Sequence, residues 1–232
     1  MEKKIGLIGG TGPIGQGLAL RWGIAGESII LGSRQQDKAD RISQQINDKL
    51  DSNLIIPRTN KKCIEEADII IITVPFNHLI STIKPFTKLL TEDHIIVDVT
   101  VPLKPFQKGK MIDLLSESEI GAKSATELLN KITPSEIPVI GAFKTISNRI
   151  LLDVDRLPIL TQDVFIFGHN EAAKNIIKEK ITLIRNLRPV DAGSVLSARH
   201  IEHFTAFLIG LNRRYKTHDC GFSVTGLTDR LW

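Results

Sequence analysis

The sequence predicts an α/β protein with a doubly wound, mostly parallel sheet and a small C-terminal α/β or helical lid domain. Short apolar runs alternate with amphipathic segments through the first 145 residues, which is typical of repeated βαβ units. The apolar run at residues 5–8 leads directly into GGTGPIG at residues 9–15. A strand, a glycine turn and a helix in this order indicate the nucleotide-binding unit of a Rossmann-type fold.

Three glycines in this turn have separate roles in the prediction. Gly10 allows the tight turn after the strand, Gly12 leaves the backbone open to a pyrophosphate, and Gly15 lets the helix approach the strand. The N–H groups and the dipole at the helix start attract phosphates. The glycine pattern alone is a weak signal. It gains weight because an amphipathic helix follows, Gly26 ends that helix, and residues 28–31 predict the second strand of a βαβ unit.

The end of the second strand predicts which dinucleotide binds. NAD-binding units usually carry a carboxylate there, about 20 residues after the glycines, to bind the ribose hydroxyls. This chain instead has Ser33 and Arg34, with Lys38 one helical turn further on. A guanidinium forms a charge-assisted pair with a 2′-phosphate, which a carboxylate would repel. The pattern therefore favours NADP, although a solvated helix start is the alternative explanation for Arg34 and Lys38.

The stretch 9–39 is similar to the opening of the NADP oxidoreductases that depend on the deazaflavin coenzyme F420. The similarity rests on the spacing of GTG, GLALR and GSR followed by KA, and residues 187–212 (LRPVDAGSVLSARHIEHFTAFLIGLN) also resemble that family. The resemblance implies NADP contacts from Thr11, Gly12, Pro13, Ile14, Ser33, Arg34, Lys38, Val74, Val101, Leu103 and Asn148. It also implies a deazaflavin bound between Thr145-Ile146 and a C-terminal segment around Thr205 and Gly221.

The chain departs from the family pattern in two places. Lys144 stands where related sequences often have a histidine, and the loop at residues 215–225 is longer. Both departures concern the deazaflavin side. Lys144, Arg199 and Arg213 could pair with a phosphate on the tail of the second substrate, but single basic residues are more often solvated.

Composition excludes several other classes of protein. The chain has 232 residues, 42% hydrophobic and 24% charged, with a net charge of +4. It has no apolar run of membrane-spanning length and no signal-peptide pattern, so we expect a cytoplasmic protein without membrane partners. Its basic residues are interspersed with acids, which argues against nucleic acid and agrees better with small polyanionic ligands. Two distant cysteines indicate neither a disulfide framework nor a metal site.

The remaining pattern predicts elements in chain order and two domains, residues 1–145 for NADP and 146–232 completing the deazaflavin site. After residue 38 we expect helices at 38–50, 61–67, 79–90, 118–131, 171–185 and 197–214, and strands at 54–56, 68–75, 94–99, 137–143, 164–167 and 188–191.

Two loops after predicted strands should border the nicotinamide, because ligands of open α/β sheets collect at the carboxyl ends of strands. The first contains Val74, Pro75 and His78. His78 could be catalytic, but we favour capping or packing at the next helix, since no partner carboxylate is identifiable nearby. In the resembling family this loop also has a proline, an aromatic residue and a histidine, and it lines the cofactor site. The second loop contains Val101 and Leu103 and follows Asp98. Asp98 could be a general base, but we favour hydrogen bonds from local backbone donors to its carboxylate.

The sequence shows no convincing proton donor for carbonyl reduction. Its one tyrosine, Tyr215, is followed four positions later by Asp219, so the Tyr-x-x-x-Lys pattern of short-chain reductases is absent. Hydride exchange between two stacked cofactors needs no such acid, because positioning supplies most of the rate. We therefore predict reversible hydride transfer between NADP(H) and coenzyme F420, with no catalytic side chain.

Two alternatives remain open. One is an NADPH-dependent reductase of another acceptor, such as a flavin, a ferric chelate or an imine. The other is a non-catalytic NADP sensor, with Phe204, Phe207, Leu208 and Leu211 as a partner-binding stripe. Core packing or a homodimer contact explains that stripe more simply, because amphipathic spacing is generic.

Overall fold

The computed structural model describes residues 3–227, which contain a six-stranded parallel sheet with helices on both faces. Its strands are β1 (Ile5–Ile8), β2 (Ile29–Ser33), β3 (Ile55–Thr59), β4 (Ile69–Ile72), β5 (Ile95–Asp98) and β6 (Val139–Gly141). They lie in the order β3-β2-β1-β4-β5-β6, which is the Rossmann order and reverses direction between β1 and β4. The predicted fold is confirmed, and its carboxyl edge is where a dinucleotide should bind.

Helices connect the strands and cover both faces of the sheet. They are α1 (Pro13–Ile24), α2 (Gln36–Leu50), α3 (Asn60–Glu66), α4 (Leu79–Ile83), α5 (Glu117–Ile120), α6 (Ala125–Ile132), α7 (Asn148–Leu152), α8 (Glu171–Thr182) and α9 (Ala198–Arg214). The isoleucines of β4 are fully buried, as a central parallel strand requires. Strand β3 accommodates Pro57 because it lies at the edge of the sheet.

Two predicted helices are wrong in extent. The helix expected at 79–90 ends at Ile83 and continues as a 3₁₀ segment over Lys84–Leu89, because Pro85 lacks an N–H and its ring obstructs the α-helical path. The helix expected at 118–131 is divided at Gly121, whose φ is 78°. It starts again as α6 after Ser124, whose side chain accepts a hydrogen bond from the Glu127 N–H. The short helix α7 was not predicted.

The C-terminal region adds a small parallel pair, β7 (Asp163–Ile166) and β8 (Arg188–Asp191). An antiparallel bridge joins this pair to the main sheet through Gly141 and Phe167, with N–O distances of 2.9 and 3.1 Å. A Cβ at Gly141 would lie 2.1 Å from the Phe167 ring. The small sheet is therefore attached directly to the edge strand β6.

Residues on both sides of the predicted boundary at 145/146 share one hydrophobic core. The rings of Trp22 in α1 and Phe143 pack edge to face with their centroids 5.6 Å apart. The Trp22 ring N–H donates to the carbonyl of Lys180 in α8 at 2.7 Å. Buried Arg21 donates to the carbonyls of Ile150 and Leu151 at 2.6 and 3.0 Å. The C-terminal region thus packs on the nucleotide-binding helices, and the division into two domains stays a prediction.

The described residues show no membrane or metal feature. None of their helices combines the length and apolar character needed to cross a bilayer. None of their His, Cys, Asp and Glu side chains gather in a group suited to hold a metal. Cys63 and Cys220 are free thiols, and burial raises the pKa of the Cys63 thiol to about 12, so this thiol is inert.

Candidate active site

The glycine turn after β1 forms the phosphate end of the site. We predicted that Gly10 allows the tight turn, but the residue with a positive φ, of 73°, is Gly9. The turn therefore needs its glycine one position earlier than predicted. A Cβ at Gly15 would lie 2.5 Å from the backbone of Gly10, whereas one at Gly12 meets no protein atom closer than 3.4 Å. Gly12 therefore leaves space for a ligand, and Gly15 serves the close packing of helix on turn. Asn60 at the start of α3 accepts a hydrogen bond from the Gly9 N–H at 3.2 Å.

One large cleft runs along the carboxyl edge of the sheet, from the glycine turn to α9, with a volume of about 1230 Å³. Ligand sites commonly measure about 300–1,000 Å³, so this cleft has room for more than one small ligand. The predicted site residues that line it are Thr11, Gly12, Pro13, Ile14, Ser33, Arg34, Lys38, Val74, Pro75, His78, Val101, Leu103, Thr145, Ile146, Asn148 and Thr205. Gly10, Gly15 and Gly221 lie outside its described lining.

The end of the cleft beside β2 has cations and, among the described lining residues, no acid. Arg34 is exposed in the loop between β2 and α2, and Lys38 lies in the first turn of α2. Ser33 is buried, and its hydroxyl accepts a hydrogen bond from the Gln35 N–H at 3.2 Å. No aspartate or glutamate lines any described part of the cleft. This end is therefore suited to a phosphate group.

The loop after β4 borders the middle of the cleft. The Thr73 hydroxyl donates to the Ile8 carbonyl at 2.9 Å, which ties the loop to β1 at the switch point. His78 lies at the start of α4 as expected, but its side chain makes no capping hydrogen bond and is exposed. The capping explanation for His78 is therefore wrong, and no carboxylate among residues 3–227 forms an ion pair with it.

The far wall is formed where β6 leads into α7 and by one face of α9. Thr205, Leu208, Ile209 and Asn212 line this wall, as residues three, four and seven positions apart share a helix face. The Thr205 hydroxyl donates to the Lys144 carbonyl at 2.9 Å. That bond joins the two sides of the wall.

A buried ionic cluster adjoins this wall through Lys144 and Thr100, which also line the cleft. The Lys144 ammonium donates to Asp98 at 2.7 Å, to the Thr100 carbonyl at 2.5 Å and to Glu202 at 3.4 Å. The side chains of Lys144, Asp98 and Glu202 are 0% exposed. The expectation that Lys144 is solvated is wrong, because its ammonium lies among buried carboxylates. Asp98 does accept the local Thr100 N–H, at 2.8 Å, but the lysine and Thr126 also donate to it.

Glu202 is the unusual member of this cluster. One carboxylate oxygen accepts the Ala125 N–H at 2.9 Å, while the other is buried without a hydrogen-bond partner within the described residues. Burial raises the pKa of Glu202, Lys144 opposes that shift, and the negative charge of Asp98 adds to it. The cluster contains two carboxyl groups and one ammonium, so a proton on Glu202 would balance its charge.

The other basic residues considered for the substrate tail differ in setting. Arg199 is half-buried and donates to the Leu115 carbonyl at 3.0 Å. Arg213 is exposed, and its guanidinium carbon lies 3.5 Å above the Phe106 ring. Phe204, one of the α9 residues predicted to form a partner-binding stripe, packs against Phe222 with the two ring centroids 4.9 Å apart.

Sequence reasoning missed several residues of the cleft. They include Asn60, which holds the glycine turn, and Ile209, Asn212 and Cys220, which line the far wall. The helical pattern of α9 could have indicated Asn212, because it lies seven residues after Thr205. Asn60 and Cys220 gave no comparable signal, since each reaches the cleft only through tertiary folding.

The strand order, the glycine turn and the acid-free cleft define a dinucleotide-binding Rossmann protein. Residues 4–102 match the family described as NADP oxidoreductase, coenzyme F420-dependent. The chain is 32% identical to the F420-dependent NADP reductase of Methanocaldococcus jannaschii, over 97% of this chain and 99% of the relative. It is 31% identical to that of Methanothermobacter marburgensis, over 97% and 100%. The chain therefore belongs to the F420-dependent NADP oxidoreductase family.

Solved structures support the same fold. A crystal structure of a proposed F420-dependent NADP reductase from Arthrobacter sp. FB24 superposes with a TM-score of 0.79 at 19% identity, covering 97% of this chain and all of the other. A reductive aminase from Aspergillus terreus, in complex with NADPH, gives 0.63 at 13% identity, covering 93% of this chain and 63% of its own. At these identities the likeness concerns the fold alone.

Proposed function

We propose that this protein transfers a hydride reversibly between NADP(H) and coenzyme F420. The observation that carries the proposal is the single cleft of about 1230 Å³, which joins a phosphate-binding turn to a second wall on α9. Relatives that match nearly the whole chain are named F420-dependent NADP reductases. The volume of the cleft exceeds the range usual for one small ligand, which supports a site for two cofactors.

NADP is assigned to the end of the cleft nearest β1 and β2. The pyrophosphate would lie on the Gly12 backbone and the start of α1, and the 2′-phosphate beside Ser33, Arg34 and Lys38. The absence of an acid from the described lining at this end supports NADP over NAD. The nicotinamide would then reach the loops containing Val74 and Val101.

The deazaflavin is assigned to the far wall, between Thr145-Ile146 and the face of α9 that carries Thr205. The C-terminal region completes this half of the site. Reduced deazaflavin gives its hydride to the nicotinamide of NADP⁺ and releases one proton to solvent, and the reverse reaction takes that proton up. The protein contributes alignment of the two rings and exclusion of water, so no side chain is assigned a covalent or acid–base step.

A steady-state assay with purified deazaflavin tests the proposal. Deazaflavin absorbance should change on mixing with NADPH or, for the reduced form, with NADP⁺, and NADH should be a much poorer donor. Absence of turnover in both directions, from mildly acidic to mildly basic pH, would contradict hydride transfer to this acceptor. Under the same conditions, turnover with a flavin, a ferric chelate or an imine would identify the other reductase class. NADP binding without turnover on any acceptor would favour a sensor.

We also propose a homodimer and a cytoplasmic location. Phe207 on α9 is 55% exposed beside the half-exposed Phe204, and exposed aromatic side chains favour an interface. Light scattering on the wild type and on Phe207→Ser should give a dimer that is weakened in the variant. Two free thiols agree with a reducing compartment, and cell fractionation would test that location.

A further inference from the structure

A second, smaller cavity opens beside the far wall of the main cleft. Its volume is about 460 Å³, and it shares Ser147, Asn148, Ile209 and Asn212 with the main cleft. Ser147, Ile209 and Asn212 lie at the wall assigned to the deazaflavin, whereas the family resemblance gives Asn148 to NADP, so this cavity opens where the two substrates would meet. The NADP phosphate positions, at Gly12 and Arg34, are not part of this cavity's lining. A ligand lying along the far wall could therefore extend directly into it.

This basic cavity carries an excess of positive charge. Arg149, Arg213, Lys216 and His218 line it, and no acidic residue does within the described chain. All four side chains are exposed. None of these four residues forms an ion pair among residues 3–227, whereas the nearby Arg156 binds Asp219 through both of its terminal nitrogens, at 2.8 and 3.0 Å. The cations of the cavity therefore remain available to an anionic ligand.

Tertiary contacts hold the Arg213 side chain and the loop that carries His218 in place. The Arg213 guanidinium rests 3.5 Å above the Phe106 ring. The loop that carries His218 is fixed by the Arg156–Asp219 pair, by the Gln162 amide donating to the Asp219 carbonyl at 3.1 Å, and by the Cys220 N–H donating to Asn212 at 3.1 Å. Less side-chain and loop freedom is then lost on binding, which favours affinity.

We propose that the basic cavity binds the anionic tail of the deazaflavin substrate. This inference rests on the proposed function. Coenzyme F420 carries a phosphodiester and glutamyl carboxylates beyond its ribityl chain, and guanidinium and ammonium groups bind such anions by charge-assisted hydrogen bonds. The ring lies against the far wall, and the tail passes Asn148 and Asn212 to reach Arg149 and Lys216. Of the three basic residues that the sequence suggested for this task, the cavity includes Arg213 alone.

The test compares two deazaflavins that share one ring: the complete coenzyme and a form truncated after the ribityl chain. Binding is followed by quenching of deazaflavin fluorescence, and turnover by KM and kcat with NADPH. The variants are Arg149→Glu and Lys216→Glu. Arg214→Glu is the matched control, because Arg214 is exposed beside Arg213 on α9 and lines neither cavity.

Each charge reversal at Arg149 or Lys216 should raise Kd and KM for the complete coenzyme about five- to tenfold at low salt, as expected when an exposed attraction becomes a repulsion. The truncated form should be unaffected, and Arg214→Glu should change neither substrate. The difference between Lys216→Glu and wild type should shrink at high salt.

Three results would overturn the assignment of the tail. These are equal affinity of the wild type for both deazaflavins, equal losses for both in the variants, or the same loss in Arg214→Glu. Failure of the proposed function gives a different result, because the fluorescence arm reports tail binding even if no hydride is transferred.

Discussion

Replacing Lys144 with methionine should destabilise the protein strongly, because it removes the only cation of a buried cluster. The ammonium lies 2.7 Å from Asp98 and 3.4 Å from Glu202, and all three side chains are fully buried. Breaking a buried ion pair by removing one partner costs about 3–5 kcal/mol. Asp98 would keep three donors, from Thr100 and Thr126, and these donors would partly stabilise its charge. We therefore expect the lower part of the range, about 3–4 kcal/mol.

Thermal unfolding measures this cost. A loss of that size in a chain of this length corresponds to a fall in Tm of about 6–16 °C. Lys108→Met is the matched control, since Lys108 is exposed, and its Tm should stay close to that of the wild type. The double variant Asp98→Asn, Lys144→Met should recover part of the loss, because no buried charge is then left at position 98. If Lys144→Met melted within about 2 °C of the wild type, the cluster would not contribute as its burial indicates.

Four further substitutions probe the cleft and the cluster. Arg34→Ala should reduce the transition-state stabilisation calculated from kcat/KM for NADPH by about 1.5–3 kcal/mol, the contribution of a charged hydrogen bond. It should leave kcat/KM for NADH nearly unchanged. Equal losses for both coenzymes would show that Arg34 does not bind the 2′-phosphate. Gly12→Ala should weaken NADPH binding roughly tenfold and leave Tm unchanged. Gly15→Ala should instead lower the free energy of unfolding by about 1–3 kcal/mol, because its side chain would overpack the turn. NADPH titration measures the first effect and calorimetry the second. The raised pKa of Glu202 means that the folded protein keeps a proton that the unfolded chain releases, so stability should fall as pH rises above the ordinary glutamate pKa of about 4.3. Urea unfolding should show a weaker decline in Glu202→Gln, and identical pH profiles would contradict the protonation of Glu202.

Much of the fold follows from local pattern. Strand β4 is a run of isoleucines that suits a strand buried on both faces, and the glycines after β1 specify a turn into a helix. Errors occurred where one residue interrupts a generic helical period, as at Pro85 and Gly121. The prediction of NADP from Arg34 and Lys38 likewise needed only local sequence, because their positions relative to the glycine turn are fixed by one βαβ unit.

The second half of the site could not be predicted in the same way. Asp98, Lys144 and Glu202 are far apart in the chain, and each alone resembles an ordinary polar residue. Only the folded chain shows that the three share one buried cluster. The basic cavity also depends on distant segments, since β7, α8, β8 and α9 lie between Arg149 and Lys216 in the chain.

By itself, the sequence determined the doubly wound fold, the glycine turn and the position of Arg34 after the second strand, since these depend on neighbours within a few turns of chain. Tertiary structure decided that Lys144 is buried between two carboxyl groups and that Arg149 and Lys216 line one cavity. Those outcomes depend on how α9 packs against the end of β6, and the free energy of that packing comes from contacts between residues distant in sequence.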